Sequence, residues 1–69
     1  MISPAIVDRW YELVPKTTDD DVVDDFVSKI ASNKQDLKSL KEFVEHMFYE
    51  THLRECWMNK IEEYETSSN

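Results

Sequence analysis

LKSLKEFVEHMFYETHLRECWMNKIEEY, residues 37–64, carries two apolar stripes at helical spacing that are out of phase with each other. The first consists of Leu37, Leu40, Val44, Met47 and Phe48, and the second of Leu53, Trp57, Ile61 and Tyr64. On one continuous helix, at about 100° per residue, the stripes would lie roughly 140° apart. A break near Glu50 and Thr51 lets both stripes face one core, which predicts helices at about 34–49 and 52–64. The alternative is one helix of about 30 residues whose far half packs on another subunit, giving three helices in all; typical helix lengths favour the break.

The N-terminal half predicts two further helices. Ser3 as N-cap, Pro4 in the first turn and Pro15 as a stop delimit a helix over 4–14. Thr18 is the expected N-cap of a second helix, over 18–31, and Ser32 and Asn33 end it and cap the next. The apolar face of that second helix consists of Val22, Val23, Phe26, Val27 and Ile30.

These elements predict an all-α protein: a small compact bundle of four short helices, either orthogonal or up-down. Residues 1–64 form one helical domain in this prediction, and residues 65–69 form a disordered polar tail. The chain has 69 residues and no glycine, so it lacks the residue that cradles phosphates and builds nucleophile elbows.

The net charge and the cysteine content limit which partners and which cell compartment are expected. The formal net charge is −7, whereas a nucleic-acid-binding domain normally carries a basic footprint. The chain has no apolar run long enough for a transmembrane helix, so no membrane partner is expected. One cysteine, Cys56, and the lack of an export-signal pattern predict a reducing compartment, the cytoplasm or the nucleus.

An acidic cluster lies at the start of the second helix. Asp19, Asp20 and Asp21 are favoured there by the helix dipole, which attracts negative charge. Asp24 and Asp25 follow one turn later and form like-charge i, i+4 pairs with Asp20 and Asp21. Each pair is destabilising by a few tenths of a kcal/mol, on the order of what an exposed ion pair contributes with the opposite sign. Most of this pattern is typical of a solvated helix face. The tolerated repulsion also supports a second interpretation, in which Asp20, Asp21, Asp24 and Asp25 form an acidic ridge that docks on a basic partner.

Eight aromatic residues are more than such a small core is expected to bury. We expect Trp10, Phe26, Phe48 and Trp57 in the core. Tyr11 lies at the edge of its stripe, while Phe43 and Tyr49 fall off the main stripe of their helix. Because aromatic residues are favoured at protein interfaces, Tyr11, Phe43 and Tyr49 are the predicted exposed anchors for a partner.

The sequence offers little for metal binding or catalysis. His52 and Cys56 have the i, i+4 spacing of two zinc ligands, but a structural site needs four ligands and a catalytic site three. No serine has a context that would activate it as a nucleophile, and a substrate cavity is hard to form in so small a core. We therefore predict no metal, no cofactor and no enzymatic activity.

The favoured hypothesis is a non-enzymatic protein–protein interaction module, a small acidic helical adaptor or regulator. Its partner would be another protein with a basic or amphipathic helical surface, or a second copy of the chain. The alternative is a stoichiometric inhibitor of the immunity-protein or DNA-mimic kind that occupies a basic nucleic-acid-binding surface. A third hypothesis is a helix-turn-helix nucleic acid binder that uses Lys34, Lys38 and Lys41.

Overall fold

The computed structural model describes residues 3–67, which form an all-α four-helix bundle. The helices are α1 (Pro4–Leu13), α2 (Asp20–Ile30), α3 (Lys34–Met47) and α4 (Thr51–Ser67). The predicted break between the two C-terminal stripes is confirmed, because α3 ends at Met47 and α4 begins at Thr51. Within the described part of the chain, no helix combines the length and hydropathy that crossing a bilayer requires.

The bounds of α1 and the start of α3 agree with the predicted caps and proline stop. α1 begins with Pro4 in its first turn and ends where Val14 turns extended, at ψ 117°, as a residue before proline tends to do. Ser3 occupies the N-cap position of α1 but makes no side-chain capping bond. Asn33 caps α3 as predicted, because its side-chain oxygen accepts from the backbone N–H groups of Gln35 and Asp36 at 3.0 and 3.2 Å.

The start of α2 differs from the prediction, because Asp19 and not Thr18 is its N-cap. The Asp19 carboxylate accepts from the backbone N–H groups of Asp21 and Val22 at 3.0 and 3.4 Å. The hydroxyl of Thr17 accepts in turn from the backbone N–H of Asp19 at 3.1 Å. A carboxylate satisfies two orphan N–H groups and adds a favourable charge at the helix N-terminus, which explains why the cap lies one residue later.

The end of α4 also differs, because the helix continues to Ser67 and does not stop at residue 64. Residues 65–67 were predicted to be disordered, whereas Glu65 accepts a bond from Lys41 Nζ on α3 at 3.0 Å. Thr66 donates its hydroxyl to the Glu62 carbonyl at 2.6 Å. These contacts extend the helix by three residues, and the rest of the predicted tail, residues 68 and 69, lies outside the described residues.

The core is built around α3, which packs against each of the other three helices. Among the described residues, the α1 backbone approaches α3 but neither α2 nor α4, which differs from an up-down bundle, where sequence neighbours pack side by side. An edge-to-face chain of aromatic rings crosses the core, with ring centroids 5.5–6.2 Å apart: Trp10, Phe26, Trp57, Phe48 and Phe43. Trp10, Phe48 and Trp57 are buried and Phe26 is half-buried, so the predicted aromatic core is confirmed.

Candidate interaction surface

A seam of polar contacts joins the start of α2 to the second half of α4. Trp57 donates its indole N–H to the Thr17 carbonyl at 3.0 Å, Lys60 Nζ lies 3.2 Å from Asp20, and Tyr64 donates its hydroxyl to Asp24 at 2.8 Å. Each contact joins residues 40 positions apart, so α2 and α4 run in the same direction here. We call these contacts the α2–α4 seam.

Lys60 is the charged centre of the α2–α4 seam. Its ammonium lies 3.7 Å from Asp24 and 3.5 Å from Glu63, in addition to its contact with Asp20, and its side chain is 13% exposed. The bond to Asp20 and the negative charges around it raise the pKa of Lys60, against a smaller opposing effect of burial. The cation is therefore held in its charged form at neutral pH by carboxylates of both helices.

Tyr64 closes the far end of the seam. The hydrogen bond to the Asp24 carboxylate raises the pKa of the Tyr64 phenol, and burial and the charge of Asp24 act in the same direction. Asp24 therefore accepts from a neutral donor while it also lies near Lys60. These contacts give Asp20 and Asp24 partners inside the molecule.

The predicted acidic ridge is thus divided between two sides of α2. Asp20 and Asp24 face α4, whereas Asp21 and Asp25 point away from it and are exposed. Asp25 forms an i, i+4 ion pair with Lys29 at 2.9 Å. At about 100° per residue, Asp21, Val22, Asp25 and Lys29 share an arc of about 100°, which we call the outer face of α2.

Val22, which was predicted to lie on the apolar face of the second helix, lies on this outer face. Its side chain is 43% exposed, whereas Val23 is 0% exposed. The helical periodicity already indicates this exposure, because Val22 lies at the edge of the apolar stripe of α2, about 100° from Val23. The outer face of α2 therefore combines a partly exposed apolar side chain at one edge of the arc with the carboxylates of Asp21 and Asp25 on one side of it.

The three predicted aromatic anchors have different outcomes. Tyr49, in the turn between α3 and α4, is 83% exposed. Tyr11 is 56% exposed, and Lys16 Nζ lies over its ring at 4.4 Å from the centroid. Within residues 3–67, no hydrogen bond, ion pair or ring contact joins either tyrosine to the outer face of α2, so the structure does not gather the predicted anchors and acids into one cluster.

Phe43 is not an exposed anchor, because its side chain is 1% exposed. Its ring packs edge-to-face on Phe48, with centroids 5.7 Å apart. The four buried residues of α3, Leu37, Leu40, Phe43 and Val44, cover an arc of about 120° on the helix. α3 contacts three other helices, so its buried face is wider than the single stripe read from the sequence.

A groove of about 450 Å³ runs along the outside of α3 beside the end of α4. Leu37 lies between three lysines and three glutamates, namely Lys34, Lys38, Lys41, Glu42, Glu45 and Glu65. Lys41 and Glu65 pair across this groove at 3.0 Å, and that bond raises the pKa of Lys41. We call this feature the α3 groove.

The residues considered as metal ligands take other roles. Cys56 donates its thiol to the Thr18 carbonyl at 3.6 Å, and the side chain of His52 is exposed. In the part of the chain that the structure describes, no group of three or more His, Cys, Asp or Glu side chains is arranged to hold a metal ion.

The fold and these surfaces define a small all-α bundle with a charged exterior and an aromatic core. Comparisons of the chain with protein-family models, with curated proteins and with solved structures gave no match.

Proposed function

We propose that the chain is a non-enzymatic interaction module that binds a partner protein through the outer face of α2. The observation that carries this proposal is the exposure of Val22 beside Asp21 and Asp25. A partly exposed apolar side chain supplies buried area in a complex, and flanking carboxylates steer and orient a basic partner. The chemistry of the partner that fits is an amphipathic helix whose apolar stripe has lysines or arginines along one edge.

The division of the acidic cluster sharpens this proposal. Asp20 and Asp24 are held by Lys60 and Tyr64, so their carboxylates contribute to the bundle itself. Asp21 makes no ion pair among the described residues, and Asp25 is bound by Lys29, which is exposed and can be displaced by a partner cation. Asp21, Val22 and Asp25 are therefore the residues expected to contact the partner, and Tyr11 and Tyr49 stay candidates for separate contacts.

The DNA-mimic alternative requires an unbroken row of free acids, and two lysines interrupt the row on α2. Lys60 lies among Asp20, Asp24 and Glu63, and Lys29 pairs with Asp25. Each cation reduces the negative potential that a phosphate-binding cleft would recognise. The interaction module is therefore the better-supported of the two.

The helix-turn-helix alternative meets a similar obstacle on α3. Lys34, Lys38 and Lys41 share the α3 groove with an equal number of glutamates, and Lys41 is already paired with Glu65. A duplex backbone needs an excess of positive charge at the contact. A groove with balanced charge lacks that excess.

The test compares capture of native partners by wild-type chain and by variants of the outer face of α2. The variants are Val22→Ala and the pair Asp21→Asn with Asp25→Asn, and the matched control is Asp8→Asn with Glu12→Gln. The control removes two exposed carboxylates at the same i, i+4 spacing on α1. For a partner identified with wild-type chain, we expect each test variant to reduce affinity at least about threefold and the control to leave it unchanged.

Two outcomes would count against the proposal. A partner that binds all variants equally would show that the outer face of α2 is solvated surface. A set of basic nucleic-acid-binding proteins, lost by the control as readily as by the test variants and released steeply by salt, would favour the mimic.

A further inference from the structure

The α3 groove has balanced charge, unlike the molecule as a whole. Its three lysines and three glutamates sum to a formal charge of zero, whereas the chain as a whole carries −7. Two copies of so acidic a chain repel each other at most orientations. The α3 groove is a surface at which a second copy can approach without that repulsion.

The charges of the groove are also ordered along α3. Lys34 and Lys38 lie towards the N-terminal end, and Glu42 and Glu45 lie towards the C-terminal end. At 1.5 Å of rise per residue, the lysine pair and the glutamate pair are centred about 11 Å apart. Lys41 lies between them and is neutralised by Glu65.

Such an order is self-complementary under a two-fold axis. When α3 of one copy lies antiparallel on α3 of another, with the axis at the level of residues 39 and 40, the lysine end of each faces the glutamate end of the other. Within residues 3–67, Lys34, Lys38, Glu42 and Glu45 form no ion pair, so each is available to a partner charge. The antiparallel arrangement also opposes the two helix dipoles favourably.

From these observations we propose that the α3 groove is a homodimer interface, in which Lys34 and Lys38 of each copy pair with Glu42 and Glu45 of the other. Its contacts are ionic and lie around Leu37, which is almost fully buried, so little apolar surface is gained. Association through this face is therefore weak and depends on ionic strength. This interface is separate from the outer face of α2.

Sedimentation equilibrium over a range of protein concentrations tests the proposal on the full chain. We expect a monomer–dimer equilibrium at low salt whose association constant falls at least about tenfold between 50 mM and 500 mM salt. Lys34→Glu with Lys38→Glu, and separately Glu42→Lys with Glu45→Lys, should each weaken the dimer by at least about tenfold, because like charges then face each other. An equimolar mixture of the two variants should form a heterodimer, because four acidic side chains at positions 34, 38, 42 and 45 of one variant then meet four basic ones at the same positions of the other.

The matched control is Lys16→Glu with Lys29→Glu, which changes the net charge as the first variant does but away from the groove. The control should retain at least about threefold more dimer affinity than the Lys34 and Lys38 variant of the same net charge, because it adds general repulsion between the copies but places no like charges face to face in the groove. A wild-type chain that stays monomeric at low salt up to millimolar concentration would overturn the proposal. A dimer that both groove variants retain, or one that salt leaves unchanged, would assign the interface to another face.

Discussion

Val22 and Val23 are adjacent and chemically identical, but their side chains are 43% and 0% exposed. Val23→Ala removes two methyl groups from a packed core, so we expect a loss of about 1–3 kcal/mol in the free energy of unfolding. Val22→Ala should change it by no more than about 0.5 kcal/mol, because the position is partly solvated and alanine favours the helix. Urea titration followed by tryptophan fluorescence measures both, and equal losses would contradict the assignment of Val22 to the surface.

Phe43 and Tyr49 make a second contrast between a buried and an exposed residue. Phe43→Ala leaves a cavity beside Phe48, and should cost about 3–5 kcal/mol. In so small a domain such a loss removes much of the total stability. Tyr49→Ala, in an exposed turn, should stay within about 0.5 kcal/mol of wild type.

Thermal unfolding followed by circular dichroism suits this second pair, because the Phe43 variant needs a readable baseline at low temperature. A Phe43→Ala chain that unfolds at the wild-type temperature would show that the ring is not a core residue. A strongly destabilised Tyr49→Ala chain would show that the turn between α3 and α4 depends on its aromatic side chain.

At the scale of the helix, the start of α2 depends on one carboxylate. Asp19→Ala removes the acceptor of the Asp21 and Val22 N–H groups, so we expect a loss of about 0.5–2 kcal/mol in the free energy of unfolding. Thr18→Ala is the matched control, because Thr18 precedes the cap and its carbonyl, not its hydroxyl, accepts the bond from Cys56. Guanidinium titration distinguishes the two, and a larger loss from Thr18→Ala would restore the cap that the sequence predicted.

Which elements exist could be predicted from the sequence, while their ends could be predicted less well. Apolar period and the two prolines located all four helices, and the phase change near Glu50 located the break between α3 and α4. The cap of α2 was misplaced by one residue because Thr18 and Asp19 are both good caps, and the Asp19 carboxylate accepts from two N–H groups and adds a favourable charge at the helix N-terminus. The end of α4 was placed too early because Glu65 is stabilised by Lys41, which lies 24 residues away.

At the scale of the whole molecule, period alone could not show which helices meet. No sequence pattern indicates that α4 lies beside α2 at a 40-residue offset, so the four aspartates were predicted to form one free ridge. The burial of Phe43 has the same cause, since a helix with three neighbours buries a wider face. Val22, by contrast, lies at the edge of the apolar stripe of α2, so its partial exposure could be predicted from the helical periodicity.

The α2–α4 seam also predicts how the folded molecule responds to alkaline pH. In the folded chain the pKa of Tyr64 is raised from 10.0 and that of Lys60 from 10.5, and the pKa of Lys41 is raised as well. Folding therefore favours the protonated form of all three groups. Their contribution to stability is fully present below their ordinary pKa values and is lost as the pH rises through the folded values.

We accordingly expect the free energy of unfolding to decline above pH about 10, with a shallower decline in Tyr64→Phe, which keeps the ring but has no phenol to ionise. Tyr49→Phe is the control, because it removes an exposed hydroxyl that has no hydrogen-bond partner among the described residues. Urea titrations at closely spaced pH values, read by tryptophan fluorescence, measure the slopes. If Tyr64→Phe and wild type declined in parallel, the bond from Tyr64 to Asp24 would not contribute to holding α4 on α2.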